Sequence, residues 1–281
     1  MTFADGPEIE LPRGDVTHGV VRVGDTVRRP RQETSAGVAA YLGHLEAVGF
    51  DRAPRYLGTD AQGRDVLSFL DGDVPGDPIE GWAASDGVLA AAARLTRMLH
   101  DASESFVPSA PMRPAVPGRP PTPLPDGEAR LIAQRDITPQ NTVFRDGLPW
   151  GLIDFDLSDW TTRSVDLANT AMHWVPLCDP HDRVPVHANV DVRPRLRLML
   201  DAYGRDAVDA SRLLDAAELR FAASYDVMRW NAEQYGGGWA RMWDQGVGEV
   251  IRRRVAWFVR VRPELAAALD ELYGAGWNGP S

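Results

Sequence analysis

The chain of 281 residues contains no lysine; all 30 of its basic residues are arginine. Chemistry that needs a lysine amine, such as Schiff-base catalysis, is therefore excluded, and any phosphate contact usually made by lysine falls to arginine. One cysteine, Cys178, rules out an intrachain disulfide and a cysteine-built zinc cage. A reducing cytoplasm is the expected location. No apolar run reaches the ~18 residues of a membrane span. The opening stretch MTFADGPEIELPRGD has neither the basic start nor the apolar centre of a secretory signal. The net charge of −10 speaks against broad nucleic-acid binding and suits a cationic ligand.

What is present divides into two parts. Residues 18–24 and 26–30 are rich in valine and meet at Gly24-Asp25, the pattern of a hairpin. A short strand is expected in 8–11, and further strands in 55–58 and 65–70. Between them, Val38, Leu42 and Leu45 recur at helical spacing in 35–49, with Thr34 or Ser35 as the cap and Gly49 as the stop. After the turn-rich 71-DGDVPGDP-78, Val88, Ala92, Leu95 and Leu99 form the apolar stripe of a helix over 86–103. Residues 108–125 hold eight prolines and predict an extended loop, either a surface tether or a cover over a site. Helical patterns return at 211–230 and 247–261. Domain boundaries are accordingly expected at 1–72 for a small sheet with one helix and 73–281 for a larger, mainly helical lobe.

The stretch 134-QRDITPQNTVFRDGLPWGLIDFD-156 carries the chemistry. Asp136 and Asn141 stand in the spacing D-x-x-x-x-N of a phosphoryl-transfer catalytic loop. There the Asp accepts or orients the substrate hydroxyl and the Asn holds Mg²⁺. Strands at 142–144 and 150–153 flank the turn Arg145-Asp146-Gly147, so the chain doubles back and Asp154 returns beside Asn141. A carboxylate and an amide oxygen form a hard-oxygen pair suited to Mg²⁺. Taken singly, Asp and Asn are ordinary turn and cap residues; their conjunction with the hairpin, I-D-F-D and D-L-A at 166–168 is specific.

These motifs resemble the aminoglycoside phosphotransferase family, the antibiotic-kinase-like branch of the protein-kinase fold, which also holds choline and other small-molecule kinases. The resemblance implies an α+β, bilobal protein-kinase-like fold with a small β-sheet N-lobe bearing one helix. It implies transfer of the γ-phosphate of ATP or GTP, with Mg²⁺, to a hydroxyl of a small molecule. Asp136 would be catalytic, Asn141 and Asp154 would be metal ligands, and Asp156 and Asp166 would support them. Gln134 stands where the family has His, in a bracing position, and Gln can both donate and accept hydrogen bonds. By position, Arg29, with Arg28 beside it, replaces the phosphate-anchoring lysine, although Arg and Lys are not interchangeable there. Gly14 and Gly19 flank the candidate phosphate-covering loop, and the adenine is expected near 66–72. On the acceptor side Asp226, Trp230, Glu233 and Trp243 combine aromatic rings with carboxylates, which suits a cationic or sugar-like acceptor. A non-catalytic protein that keeps the fold and binds nucleotide or ligand is the alternative, favoured by Gln134 and the missing lysine.

Overall fold

The structure is a computed structural model and describes residues 6–11, 19–121 and 123–273. Its first part is a five-stranded antiparallel sheet in the order β1-β2-β3-β5-β4. The strands are β1 (Ile9–Glu10), β2 (Val21–Val23), β3 (Thr26–Arg29), β4 (Tyr56–Thr59) and β5 (Asp65–Ser68). Helix α1 (Ser35–Ala47) intervenes between β3 and β4. Its Val38, Tyr41, Leu42 and Leu45 are buried, as the helical spacing requires. Ser35 sits in its first turn, accepting from the Gln32 backbone N–H at 2.9 Å and donating to Asp65. Gly49, with φ of 83°, lies just past its end.

The second part is mainly helical. Helix α2 (Asp86–Ser103) is capped by Ser85, whose side chain accepts from the Val88 N–H. Strands β6 (Arg130–Ala133) and β9 (Asp159–Thr162) pair with each other, and β7 (Thr142–Arg145) pairs with β8 (Leu148–Leu152). Then follow α3 (Arg163–Trp174), α4 (Val192–Tyr203), α5 (Ala210–Tyr235), α6 (Gly237–Asp244) and α7 (Val247–Tyr273). Sequence periodicity located α2, α5, the first half of α7 and the β7–β8 hairpin. It did not separate α3, α4 and α6, which are short or interrupted by polar residues.

Two apolar cores hold the molecule together. One lies among α2, α3, α4, α5 and α7, around Trp174, Leu196, Phe221 and Phe258. The other joins the sheet part to the helical part: Tyr41, Leu42 and Leu45 of α1 share it with Leu95 and Leu99 of α2, Ile132 of β6 and Phe155. Polar contacts reinforce this seam. The Tyr41 hydroxyl meets Ser103 Oγ at 2.6 Å and the Ile132 carbonyl at 3.2 Å, and His44 Nε2 meets the Ala102 carbonyl at 2.9 Å.

The connection between the parts is also stitched down. Asp73 and Phe144 exchange backbone hydrogen bonds of 3.0 and 2.7 Å. At Gly72, φ is 146° and a Cβ would stand 2.4 Å from the Phe144 carbonyl oxygen, so only glycine fits. The proline-rich segment crosses both parts rather than hanging from the surface. Its Met112 is buried, with the Met112 carbonyl oxygen 2.7 Å from where a Cβ on Gly37 of α1 would be. Further along, Arg119 lies over the Trp230 ring of α5 at 5.6 Å. Among the described residues, no helix is long and apolar enough to cross a membrane.

Candidate active site

The loop from Gln134 to Asn141 leaves β6 and enters β7. Asp136 sits in it with its side chain bonded to Asn141, whose Nδ2 donates to the Asp136 carboxylate at 2.9 Å and to its carbonyl at 3.0 Å. These bonds orient the Asn141 amide and leave its Oδ1 uncommitted. The β7–β8 pairing sets Thr142 opposite Leu152, and the Ile153 N–H reaches the Asn141 carbonyl at 2.9 Å. The hairpin thus returns Asp154 to the end of the loop. Asp154 has a left-handed φ of 56°, a strained setting for a residue with a Cβ. The residue remains accessible to solvent, although most of what surrounds it is protein.

Gln134 is fully buried and ties these pieces together. Its Nε2 donates to the carbonyls of Ile153 (2.9 Å) and Asp154 (2.8 Å), and its Oε1 accepts from the Asp136 N–H at 2.6 Å. One side chain therefore holds both the loop and the strained turn at Asp154.

Burial, with charge crowding added to it, sets the acidity of the two carboxylates. Burial, and then the neighbouring charge of Asp154, raise Asp136 to about 6. Asp154 is likewise raised to about 6, by burial and then by Asp156, with Arg29 opposing. Near neutral pH Asp136 is thus mostly ionised yet basic enough to accept a proton.

Across the cleft, Arg29 Nη2 donates to Asp156 Oδ1, and both side chains are nearly sealed from solvent. Arg29 Nε and Asp156 Oδ2 are buried without hydrogen-bond partners. The first turn of α1 has no acidic residue, and Asp156 occupies the partner role instead. Arg28 does not share this position. Strand alternation turns it to the other face, towards Asp60 at 3.9 Å. Of the two arginines expected at the nucleotide, only Arg29 is thus placed beside Asp156. Gly19 has φ of 75° beside Pro30; Gly14 lies outside the described residues.

Helix α3 supports the loop from behind. Asp166 is buried and meets His100 Nε2 of α2 at 3.0 Å, and His100 Nδ1 meets the Tyr203 hydroxyl at 2.7 Å. Asn169 Nδ2 donates to the Arg135 carbonyl at 2.9 Å, and Trp174 Nε1 to the Ile137 carbonyl at 2.9 Å. Of these props the sequence pointed only to Asp166. Asn169, three residues on and on the same helix face, was the signal that could have been read.

The acceptor-side candidates stand differently from expectation. Asp226 and Glu233 both face Arg229, at 3.6 and 3.9 Å, so each carboxylate already has a cation of the chain itself. Trp230 is buried against Tyr235, and Trp243 packs edge-on to Tyr225. Nearer to Asp136 is Arg220, which the sequence reading passed over.

The residues fit a magnesium ion in the manner of nucleotide enzymes. Asn141 Oδ1 and the Asp154 carboxylate supply two hard oxygens. Among the described residues, no group of three acidic, His or Cys side chains could hold a metal unaided. An ion held by two protein oxygens and completed by phosphates and water matches the habit of Mg²⁺.

Comparison with known proteins agrees with this architecture. The trifolitoxin immunity protein of Rhizobium leguminosarum bv. trifolii is 32% identical over 266 residues, spanning 89% of this chain and 94% of that protein. Among solved structures, a putative aminoglycoside phosphotransferase from Ralstonia eutropha superposes with a TM-score of 0.59 at 13% identity, over 92% of this chain and 94% of that one. The GDP complex of aminoglycoside 2'-phosphotransferase-IIIa gives 0.57 at 12%, over 90% and 93%. A choline kinase from Cryptosporidium parvum gives 0.54 at 10%, over 93% and 90%. No family model matches the chain. The sequence resemblance thus holds at the level of fold: the chain has the kinase-like α+β fold of the aminoglycoside phosphotransferases and choline kinases, and it belongs to the family of the trifolitoxin immunity protein.

Proposed function

We propose that this protein is a nucleotide-dependent phosphotransferase that moves a terminal phosphoryl group to a hydroxyl of a small molecule. One observation carries the reading: Asp136, Asn141 and Asp154 converge at one end of the β7–β8 hairpin, with Arg29 across the cleft. The 1–72 and 73–281 parts then act as nucleotide-covering and catalytic lobes. Asp136 accepts the proton of the acceptor hydroxyl as the new P–O bond forms, and its raised basicity near pH 6 matches that task. Asn141 and Asp154 hold Mg²⁺, which when bound neutralises phosphate charge. Arg29 binds phosphate oxygens, which share its guanidinium with Asp156 or take the place of Asp156. Gln134, Asp166 and Asp156 keep these groups in register.

The reading of a protein that binds without turnover rested on Gln134 and the missing lysine. The three hydrogen bonds of Gln134 weaken the first ground, since they do the bracing the loop needs.

Thermal unfolding with and without Mg²⁺ and ATP or GTP, on the parent and on Asp154→Ala, tests the reading. Nucleotide at ~100 times its Kd adds about 2.7 kcal/mol, a shift of several degrees that Asp154→Ala abolishes. Absence of any shift in the parent at millimolar nucleotide sinks it.

A further inference from the structure

The chain carries a net charge of −10, yet several arginines gather near Asp136. Arg220 of α5 lies within electrostatic range of Asp136, of Arg135 in the catalytic loop and of Arg254 on α7. Its Nη1 donates to Ser224 Oγ at 2.6 Å, one helical turn on. Arg254 lies over the ring of Phe221, next to Arg220, at 5.7 Å. The proline-rich strap adds Arg113 and Arg119, which neighbour each other, with Arg113 also in range of Arg135.

Other arginines of this protein are mostly matched with carboxylates, as Arg163 is with Asp101 and Glu104, or Arg253 with Asp182. Arg113, Arg119, Arg220 and Arg254 have no carboxylate within 4.0 Å among the described residues. Nε of Arg113 and of Arg254 is buried without a hydrogen-bond partner. On α3, Asn169 is 5% exposed and its Oδ1 has no partner. His173, one turn further along α3, stays neutral because burial and the charges of Arg254 and Arg220 push its pKa down to about 3. The acids facing this cluster are Asp136, Asp154, Asp159, Asp166 and Asp182; Asp159 lies 3.5 Å from Arg135, Asp166 is bonded to His100, and Asp182 is paired with Arg253. Among the described residues, four guanidiniums, those of Arg113, Arg119, Arg220 and Arg254, thus stand without an ion-paired carboxylate, against two acids, Asp136 and Asp154, without an ion-paired cation. Like charges crowded in this way lack a counter-ion, and a planar guanidinium fork suits carboxylate or phosphate oxygens.

We infer that the acceptor is an anionic small molecule, a hydroxyl compound bearing a phosphate or carboxylate group, held by Arg220 and Arg254 from α5 and α7 and by Arg113 and Arg119 from the strap. This rests on the phosphotransferase reading and replaces the cationic acceptor expected from Asp226 and Glu233. The anionic group is gripped while the free hydroxyl faces Asp136. Phosphoryl transfer then forms the bond from the hydroxyl oxygen to phosphorus, breaks the bond to the nucleoside diphosphate, and leaves the hydroxyl proton on Asp136.

The experiment uses the full chain with magnesium and a non-hydrolysable ATP analogue at saturation, so that the nucleotide's own phosphate site is filled. Glycerol 3-phosphate and glycerate serve as anionic probes, kanamycin and choline as cationic ones, each titrated by calorimetry. At least one anionic probe binds, more weakly as salt rises. Arg220→Gln and Arg254→Gln each weaken it by roughly tenfold, while affinity for the analogue is unchanged and near-ultraviolet circular dichroism reports an intact fold. Arg220→Lys retains part of the affinity. Preference of phosphate over carboxylate, or the reverse, identifies the anionic group. The inference is overturned if only cationic probes bind, if no anion binds at millimolar concentration, or if anion binding is unaltered in both Gln variants. Failure of the phosphotransferase reading appears separately, as absence of analogue binding before any probe is added. Anion titrations without nucleotide then judge the arginine site by the same two variants.

Discussion

Arg29 of β3 and Asp156, two residues beyond Asp154, form an ion pair across 127 positions of sequence. With side-chain exposures of 9% and 12%, neither is freely solvated. Breaking such a pair from one side leaves a buried charge without compensation, which costs about 3–5 kcal/mol. Asp156→Asn should therefore lower the stability of the nucleotide-free protein in urea unfolding. Phosphate oxygens can supply the missing anion, so Mg²⁺-nucleotide should raise the melting temperature of Asp156→Asn by more than that of the parent. Equal shifts in both proteins would separate Arg29 from the nucleotide.

Gln134→Ala removes the partners of two carbonyls and one N–H at once. Leaving buried backbone groups unpaired costs about 1–3 kcal/mol each, though water reaching the gap offsets part of this. A loss of about 2–4 kcal/mol is expected by chemical denaturation. Nucleotide binding should also be lost, because the strained Asp154 turn loses its hold. Gln134→Glu should fail in the same way, since a carboxylate cannot donate to the two carbonyls.

Gly37→Ala tests the strap. The added Cβ would lie 2.7 Å from the Met112 carbonyl oxygen and 3.0 Å from its Cα. Backbone cannot swing aside as a side chain can, so overpacking of about 1–3 kcal/mol outweighs the gain in helix propensity. Gly43, on the same helix with open space around it, provides the control. Gly43→Ala should stabilise by a few tenths of a kcal/mol up to about 1 kcal/mol, and thermal melts of the two variants should move in opposite directions.

The acid limb of stability should depend on His173. Its folded pKa is pushed down to about 3 from the ordinary value of 6.5. The unfolded chain therefore binds the proton that the folded chain refuses, and stability contributed by the neutral ring is complete above pH 6.5 and lost as pH falls towards 3. His173→Gln has no such proton to refuse. Between pH 7 and pH 5, urea midpoints of the parent should fall by more than those of the variant; parallel curves would refute the assignment.

Much of the fold was legible because its signals are local. The β7–β8 hairpin, the α2 stripe and the D-x-x-x-x-N spacing each lie within a short window, and secondary-structure period and turn chemistry read such windows directly. Which of Arg29 and Arg28 faces Asp156 is also a matter of strand alternation. The supports of the loop were not legible. His100 reaches Asp166 across 66 positions, Trp174 reaches Ile137 across 37, and Asn169 reaches Arg135 across 34. The arginines near Asp136 come from the strap, the loop, α5 and α7, and no composition window contains them. Acidic net charge, which pointed to a cationic ligand, averages over the whole surface and does not report such a local cluster.

A guanidinium at the end of β3 also alters which reagents can find this protein. Acyl-phosphate nucleotide probes tag kinases by transferring an acyl group to an amine beside the bound phosphates, and a guanidinium that stays protonated is a poor acceptor for it. With no lysine anywhere in the sequence, an occupied nucleotide cleft here would leave no covalent trace. Surveys of nucleotide-using proteins that rely on such tags would pass over it, and methods that read ligand-induced stabilisation would not.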